Sequence, residues 1–79
     1  MDLIPPRAER EMAEVLTFGA RKYGDGNWQL VEHPEEWYVA AAMRHINAYR
    51  DGEENDPETG LHHLAHAMCC LAFVVEEEA

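Results

Sequence analysis

Histidines and acids that could bind a metal are concentrated in this 79-residue chain. Three histidines, His62, His63 and His66, stand within five positions of one another. Because residues three or four positions apart share a helix face, His66 would neighbour both of the others on a helix. Imidazole nitrogens with carboxylate oxygens suit Mn²⁺, Fe²⁺, Zn²⁺ or Ni²⁺, or a phosphate site that holds Mg²⁺. The candidate ligands of such a divalent metal are three histidines and two acids: His45, Asp56, Glu58, His63 and His66.

Each of these residues also has an ordinary structural interpretation. His45 would lie among the alanines of an apolar helix face, where a histidine is usually a hydrogen-bonded core group. Asp56 precedes Pro57 and would cap a helix that opens there, while His62 would face solvent. Periodicity alone leaves open whether these side chains bind a metal or only stabilise the fold.

An aromatic loop is the second candidate site. Tyr23 and Trp28 flank two glycines and could stack on a nucleotide base, while Asn27 reads the base edge and Lys22 contacts phosphate. The alternative is a helix C-terminus that a glycine caps, with cations at its negative end and Trp28 packed against a partner helix.

A cation beside His45 is the third candidate. On a helix, Arg44 would project about 100° away from His45, toward a neighbouring helix or the mouth of a pocket. Its structural alternative is a buried ion pair with Glu11, Glu14 or Glu36.

Nucleophilic catalysis by a side chain is not indicated. The chain contains no serine, and Cys69 and Cys70 lack the glycine-flanked context of a nucleophilic thiol. Two adjacent cysteines in the middle of a helix cannot easily bridge to each other. Both are therefore expected to be free thiols that pack in a core, as in a reducing cytosol.

The charge balance restricts the possible partners. Sixteen acidic residues against six basic ones give a formal net charge of -10. Such a chain repels nucleic acid polymers and anionic membranes, so a polyanionic ligand would need a metal ion to bind. The longest apolar run, Met68–Val75, is too short to cross a bilayer, and we see no signal peptide. A cytoplasmic location is expected.

The spacing of the apolar residues predicts three helices that position these groups. The first runs from Pro6 to Lys22, the second from Pro34 to about Arg50, and the third over Leu61–Glu76. In the third, seven apolar residues form one stripe that is expected to face the core: Leu61, Leu64, Ala65, Met68, Leu71, Ala72 and Val75. We therefore expect a single all-α domain, residues 1–79, in the form of a small three-helix bundle.

The second predicted helix is apolar on two sides. Tyr38, Ala41 and Ala42 share one face, and Val39 and Met43 lie on another. A chain of this size buries only roughly 60–65% of its unfolded surface, so a monomer would be marginally stable. A helix that is apolar on two sides must be covered twice, and we therefore expect a homo-oligomer, either a dimer or a tetramer.

Several short segments, in order along nearly the whole chain, resemble one bacteriophage family. They are Asp2-Leu3-Ile4-Pro5-Pro6, Phe18-Gly19-Ala20-Arg21-Lys22-Tyr23-Gly24, Asn27-Trp28, Arg44-His45, Gly52-Glu53, Asp56-Pro57-Glu58-Thr59-Gly60 and His63-Leu64-Ala65-His66-Ala67. With these segments the chain resembles the N-terminal domain of phage dATP/dGTP diphosphohydrolases. The resemblance implies an all-α nucleotide pyrophosphohydrolase, loosely similar to the MazG-like group. Such an enzyme hydrolyses a deoxynucleoside triphosphate to the monophosphate and pyrophosphate with a divalent metal, Mg²⁺ or Mn²⁺.

One feature departs from the MazG-like pattern. Those enzymes carry ExxE and ExxD motifs on facing helices, whereas here only Glu11-Met12-Ala13-Glu14, on the first helix, spells ExxE. Either the metal chemistry is histidine-based, with His45, His63 and His66 as catalytic residues, or the activity is absent.

Three functions remain open at this point. In an enzyme, Lys22 and Arg44 would neutralise phosphate oxygens while Tyr23 and Trp28 hold the purine base. A binding module would use the same pocket to capture a nucleotide, such as a host defence signal, without hydrolysing it. In a structural or interaction protein, the histidines would be core groups.

Overall fold

Three α-helices form the regular structure in the part of the protein that the structure describes. The computed structural model describes residues 3–23 and 34–78, without the side chains of Lys22, Tyr23 and Pro34. The helices are α1 (Pro6–Tyr23), α2 (Pro34–Arg50) and α3 (His63–Glu78). The prediction of an all-α chain with three helices is confirmed.

The first two helices begin where their sequences predict. Pro6 and Pro34 occupy the first helical position, where the missing N–H of proline costs no hydrogen bond. Acidic side chains follow in each first turn, Glu9 in α1 and Glu35 and Glu36 in α2. Negative charge at this end complements the helix dipole, so the local sequence determines both starts.

A glycine in the left-handed conformation ends α2. Gly52 has a φ of 104° and donates its N–H to the carbonyl of Tyr49 (3.0 Å), while Glu53 donates to the carbonyl of Ala48 (3.0 Å). These two bonds make a Schellman motif, in which the positive φ strongly favours glycine. The motif turns the chain sharply after α2, and Glu53 is the first side chain beyond it.

The helix expected to open at Pro57 is a turn instead, and this prediction was wrong. The Oδ1 atom of Asp56 accepts the backbone N–H groups of Glu58 (2.7 Å) and Thr59 (3.2 Å), as a helix cap would. Gly60 then donates its N–H to the Asp56 carbonyl (2.7 Å) with a φ of 73°. A left-handed residue cannot continue an α-helix, so the turn ends there.

The third helix begins two residues later than predicted. His62 precedes α3, and its Nδ1 atom accepts the N–H of Leu64 (3.0 Å) in the manner of an N-cap. His62 also forms an antiparallel bridge with Asn55, and the N–H of His63 donates to the carbonyl of Glu54 (2.9 Å). The connection between α2 and α3 is thereby folded back against the start of α3.

Helix α3 packs against both other helices, and the core consists mainly of small side chains. Ala42 is 1% exposed and Ala65 is 2% exposed. Because alanine side chains are small, the backbones of α2 and α3 can approach closely there. The side chains that are buried are mostly alanines: Tyr38, Ala41, Ala42, His63, Ala65, Ala67 and Cys69.

The apolar stripe expected to form the core side of α3 is only half correct. Leu71, Ala72 and Val75 are exposed, and the other four residues of the stripe are buried or half-buried. The ring of Tyr38, near the beginning of α2, lies 5.0 Å from the ring of Phe73 in the second half of α3. The last turn of α3, with Val75, therefore lies beyond the part of α3 that packs against α2. Because α1 and α2 both contact α3, its buried residues do not follow one stripe.

The second apolar face of α2 is exposed in the single chain. Met43 is 57% exposed, and Trp37 and Val39 are exposed as well. Contact between subunits could cover this face, so the homo-oligomer stays a prediction.

The Cys69 thiol should be unreactive in the folded protein. Burial, and then the neighbouring Cys70, raise the pKa of Cys69 to about 12, and its Sγ donates to the carbonyl of Met12 (3.5 Å). The thiolate is the reactive form, so a disulfide reagent at pH 8 should modify Cys69 only after denaturation. A Cys70→Ala variant isolates this thiol. Rapid modification of that variant under native conditions would contradict the buried position.

Candidate metal centre

Three residues from separate parts of the sequence bring possible ligand atoms together. His45 lies on α2, His63 is the first residue of α3, and Asp56 comes from the turn between them. The Nδ1 atom of His45 is 2.8 Å from Nδ1 of His63 and 3.8 Å from Oδ2 of Asp56. Within the described residues, these three form a group whose ligand atoms all lie within 4.8 Å of one another.

A different part of the fold fixes the position of each residue in this group. Ala41 and Ala42 lie one turn before His45 and are almost fully buried, so α3 passes close to α2 at this level. His63 itself is 4% exposed. The turn uses Oδ1 of Asp56 for its backbone hydrogen bonds, which leaves Oδ2 on the side of His45.

Glu53 orients His63 from outside the group. Its Oε1 atom lies 2.7 Å from Nε2 of His63, and a carboxylate can only accept, so Nε2 of His63 carries the proton. Neutral His63 therefore presents a lone pair on Nδ1, toward His45. Histidines that bind metals commonly donate their second nitrogen to a carboxylate in this way. Sequence reasoning missed this role, because Glu53 lies in the connection and no periodicity relates it to α3.

A second layer lies behind His45. The ring of His66 stacks on that of His45, with centroids 4.6 Å apart and planes 9° apart. Nε2 of His66 is 2.8 Å from the Thr59 hydroxyl, which accepts the N–H of Leu61. That hydroxyl is thus free to donate its proton to His66. Of the predicted ligands, His66 and Glu58 are not within the three-residue group. Thr59 is a further residue of the site, for which the sequence indicated no role.

The environment favours the protonation states that metal binding requires. Burial, followed by the neighbouring His66, lowers the pKa of His45 below its ordinary value, and burial also lowers the pKa of His66. Burial alone would raise the pKa of Asp56, but two backbone N–H groups and the nearby histidines hold this pKa below its ordinary value. These pKa shifts favour uncharged His45 and His66 and an ionised Asp56, the forms in which imidazole and carboxyl groups bind metals.

The donor atoms fit a divalent ion. Metal–ligand bonds of about 2.0–2.2 Å place neighbouring donor atoms roughly 3–3.5 Å apart. The Nδ1 atom of His45 lies 2.8 Å from Nδ1 of His63 and 3.8 Å from Oδ2 of Asp56, on either side of this range, and all three donors lie within 4.8 Å of one another. Two imidazoles and one carboxylate suit Mn²⁺, Fe²⁺ or Zn²⁺ and leave further positions for substrate or water. Without metal, the same arrangement is a hydrogen bond from Nδ1–H of His45 to Nδ1 of His63.

The metal-free protein should lose stability in mild acid. The unfolded chain protonates its histidines near pH 6.5, whereas the lowered pKa values of His45 and His66 delay protonation in the folded state. As pH falls below about 6.5, the unfolded state binds more protons, so the free energy of unfolding decreases. Urea denaturation at pH 7.5 and pH 5.5 measures this change. A His66→Asn variant should show a smaller decrease, and equal decreases would contradict the assignment.

The remaining predicted site residues are not part of this group. Arg44 is exposed on α2, and no ion pair involves it among the residues that the structure describes. The side chains of Lys22 and Tyr23, at the end of α1, and all of Asn27 and Trp28 lie outside the described residues. Their proposed contacts with a nucleotide stay predictions.

Comparison with known proteins identifies relatives among phage enzymes. The family model described as dATP/dGTP diphosphohydrolase, N-terminal, matches residues 1–79. A dATP/dGTP diphosphohydrolase of Salmonella phage PMBT28 is 42% identical over 74 residues, which is 94% of this chain and 25% of that protein. The chain thus spans a quarter of the length of this curated relative. No solved structure matches it. In the described part of the chain, none of the helices combines the length and apolar character needed to span a membrane.

Proposed function

Because the chain belongs to the N-terminal domain family of the dATP/dGTP diphosphohydrolases, we propose that it serves metal-dependent hydrolysis of a purine deoxynucleoside triphosphate. The products would be the monophosphate and pyrophosphate, in control of a phage nucleotide pool. The observation that carries this proposal is the group formed by His45, Asp56 and His63, with Glu53 behind it.

The residues of this group would have distinct roles. His45, His63 and Asp56 would hold the ion. Of Mg²⁺ and Mn²⁺, the two metals that the family resemblance implies, the imidazole donors favour Mn²⁺. The ion would supply Lewis-acid chemistry at phosphorus and acidify water. Glu53 keeps the proton of His63 on Nε2, so that Nδ1 stays available. His66 would fix the ring plane of His45 by stacking on it.

Product analysis tests the proposal. The protein is incubated with each deoxynucleoside triphosphate and Mn²⁺ or Mg²⁺, and pyrophosphate release is measured separately from phosphate release. We expect pyrophosphate from dATP or dGTP, lost in His45→Asn and retained in His62→Asn. His62 caps α3 through its side chain, a role that asparagine also performs. Phosphate release, or equal loss in both variants, would argue against this function.

A nucleotide-binding module without catalysis is the second candidate. This chain matches only 25% of the phage relative, so residues needed for hydrolysis could belong to the rest of such a protein. The module would bind a purine nucleotide with the same pocket and cations, without requiring an ordered metal, and would return it unchanged. Nucleotide-dependent thermal stabilisation without any product favours this function over the first.

The assembly and location follow as further proposals. We propose that the exposed apolar face of α2, which contains Met43 and Trp37, is covered in a homodimer or tetramer. Light scattering at micromolar concentration tests this, and a stable folded monomer would refute it. Activity on a nucleotide pool would place the protein in the cytoplasm of the host cell.

A further inference from the structure

A cleft lies between α1 and the turn that precedes α3. Its volume is about 460 Å³, within the range of roughly 300–1,000 Å³ that is common for small-molecule sites. Arg10 and Arg21 line it from α1, and Thr59 and Leu61 line it from the connection. Arg10 was not among the residues that the sequence indicated, whereas Arg21 belongs to the segment Phe18–Gly24 that carries the family resemblance.

The two arginines lie on one face of α1. They are eleven positions apart, which is about three helical turns or roughly 16 Å along the axis. The side chains of α1 that line the cleft follow helical spacing between them: Ala13, Glu14, Thr17 and Phe18. The arginines are therefore placed toward opposite ends of one continuous surface.

The chain has six basic residues and a net charge of -10, and two of those six, Arg10 and Arg21, line this cleft. Arg7, also on α1, is bonded to Glu11 at 2.8 Å, whereas no ion pair of Arg10 or Arg21 occurs among the described residues. Among the described side chains that line the cleft, Arg10 and Arg21 are basic and Glu14 is the one acid, so together these side chains carry a net positive charge. Unpaired guanidinium groups are suited to bind phosphate with two parallel hydrogen bonds.

The cleft adjoins the candidate metal centre through Thr59. This residue lines the cleft, and its hydroxyl lies 2.8 Å from Nε2 of His66. The ring of His66 stacks in turn on that of His45. Thr59 and His66 therefore lie between the cleft and His45, and an anion in the cleft would contact a metal held by His45 only where it extends past these two side chains.

We propose that this cleft binds the polyphosphate group of the nucleotide, with Arg10 and Arg21 as the phosphate-binding residues. The inference rests on the proposed function and adds the position at which the phosphates of the nucleotide bind. Two fixed cations near a metal would offset the repulsion that an acidic chain exerts on a triphosphate.

Inorganic tripolyphosphate is the probe, because it carries the phosphates without base or sugar. Its affinity is measured by titration calorimetry with saturating Mn²⁺. Arg10→Gln and Arg21→Gln should each weaken binding about tenfold, the effect of losing one charge-assisted contact. Arg10→Lys keeps the charge but loses the planar fork, so an intermediate loss is expected.

Arg7→Gln is the matched control. It removes the same charge from the same helix, at a side chain that does not line the cleft and is already paired. Equal losses in Arg7→Gln, or unchanged affinity in Arg10→Gln and Arg21→Gln, would overturn the inference. Affinity for Mn²⁺ alone should be unchanged in all variants. Tight tripolyphosphate binding without pyrophosphate release from any nucleotide would refute hydrolysis and support the cleft.

Discussion

Replacing His63 by asparagine should lower the affinity of the protein for Mn²⁺ by at least about a hundredfold, since this removes a ligand and its carboxylate partner together. In the structure, His63 is the residue that faces both His45, at 2.8 Å, and Glu53, at 2.7 Å. Asparagine cannot span both contacts. Competition with a chromophoric chelator, or calorimetry at pH 7.5, measures the affinity.

The Glu53→Gln variant provides a second, smaller change in metal affinity to compare with that of His63→Asn. It keeps the size of the side chain but removes the carboxylate, and changes of this kind typically lower metal affinity about 10–100-fold. The control is His62→Asn, which changes a neighbouring histidine outside the group and preserves the cap of α3. If His63→Asn binds Mn²⁺ as the unchanged protein does, the contact between His45 and His63 is a structural hydrogen bond and the proposed centre is wrong.

Replacing Ala42 by leucine should lower the free energy of unfolding by about 1–3 kcal/mol, because the larger side chain overpacks a closely packed core. Ala42 is 1% exposed on the side of α2 that carries Tyr38 and Ala41, against α3. In a domain of this size, each kcal/mol corresponds to roughly 4–8 °C in Tm. Thermal unfolding followed by circular dichroism measures the change.

Ala40→Leu is the matched control for this substitution. Ala40 is exposed on the same helix, so the same change of residue should have little effect on stability there. The Ala42 variant should also bind Mn²⁺ more weakly, since separating α2 from α3 moves His45 away from His63. Equal stability of the two variants would show that α2 and α3 do not pack as closely as described.

Sequence patterns predicted three helices and named His45, Asp56 and His63 among the candidate ligands, but the helix expected at Pro57 is a turn and α3 begins two residues later than predicted. Proline followed by acidic residues predicted the starts of α1 and α2, because these features act within one turn. The segment resemblance predicted the family that the comparison confirmed. The histidines and Asp56 stood out by residue type, and the alternatives for each could not be separated from spacing alone.

The tertiary structure decided which of these residues meet. Gly52 and Gly60, in the left-handed conformation, fold the connection so that Glu53 and Asp56 reach His63 and His45. Such contacts depend on the directions in which the chain leaves each turn, and periodicity within a helix carries no information about them. The same holds for the cleft, since its walls come from α1 and from the turn before α3.

The core of α3 shows the same division between sequence and structure. The helical period predicted one buried stripe, whereas Leu71 and Val75 are exposed, because burial along α3 depends on where α1 and α2 contact it. Burial of a residue is a property of its neighbours in space. The sequence by itself therefore determined the helices and the chemical groups available, and the packing of three helices decided which groups form a site.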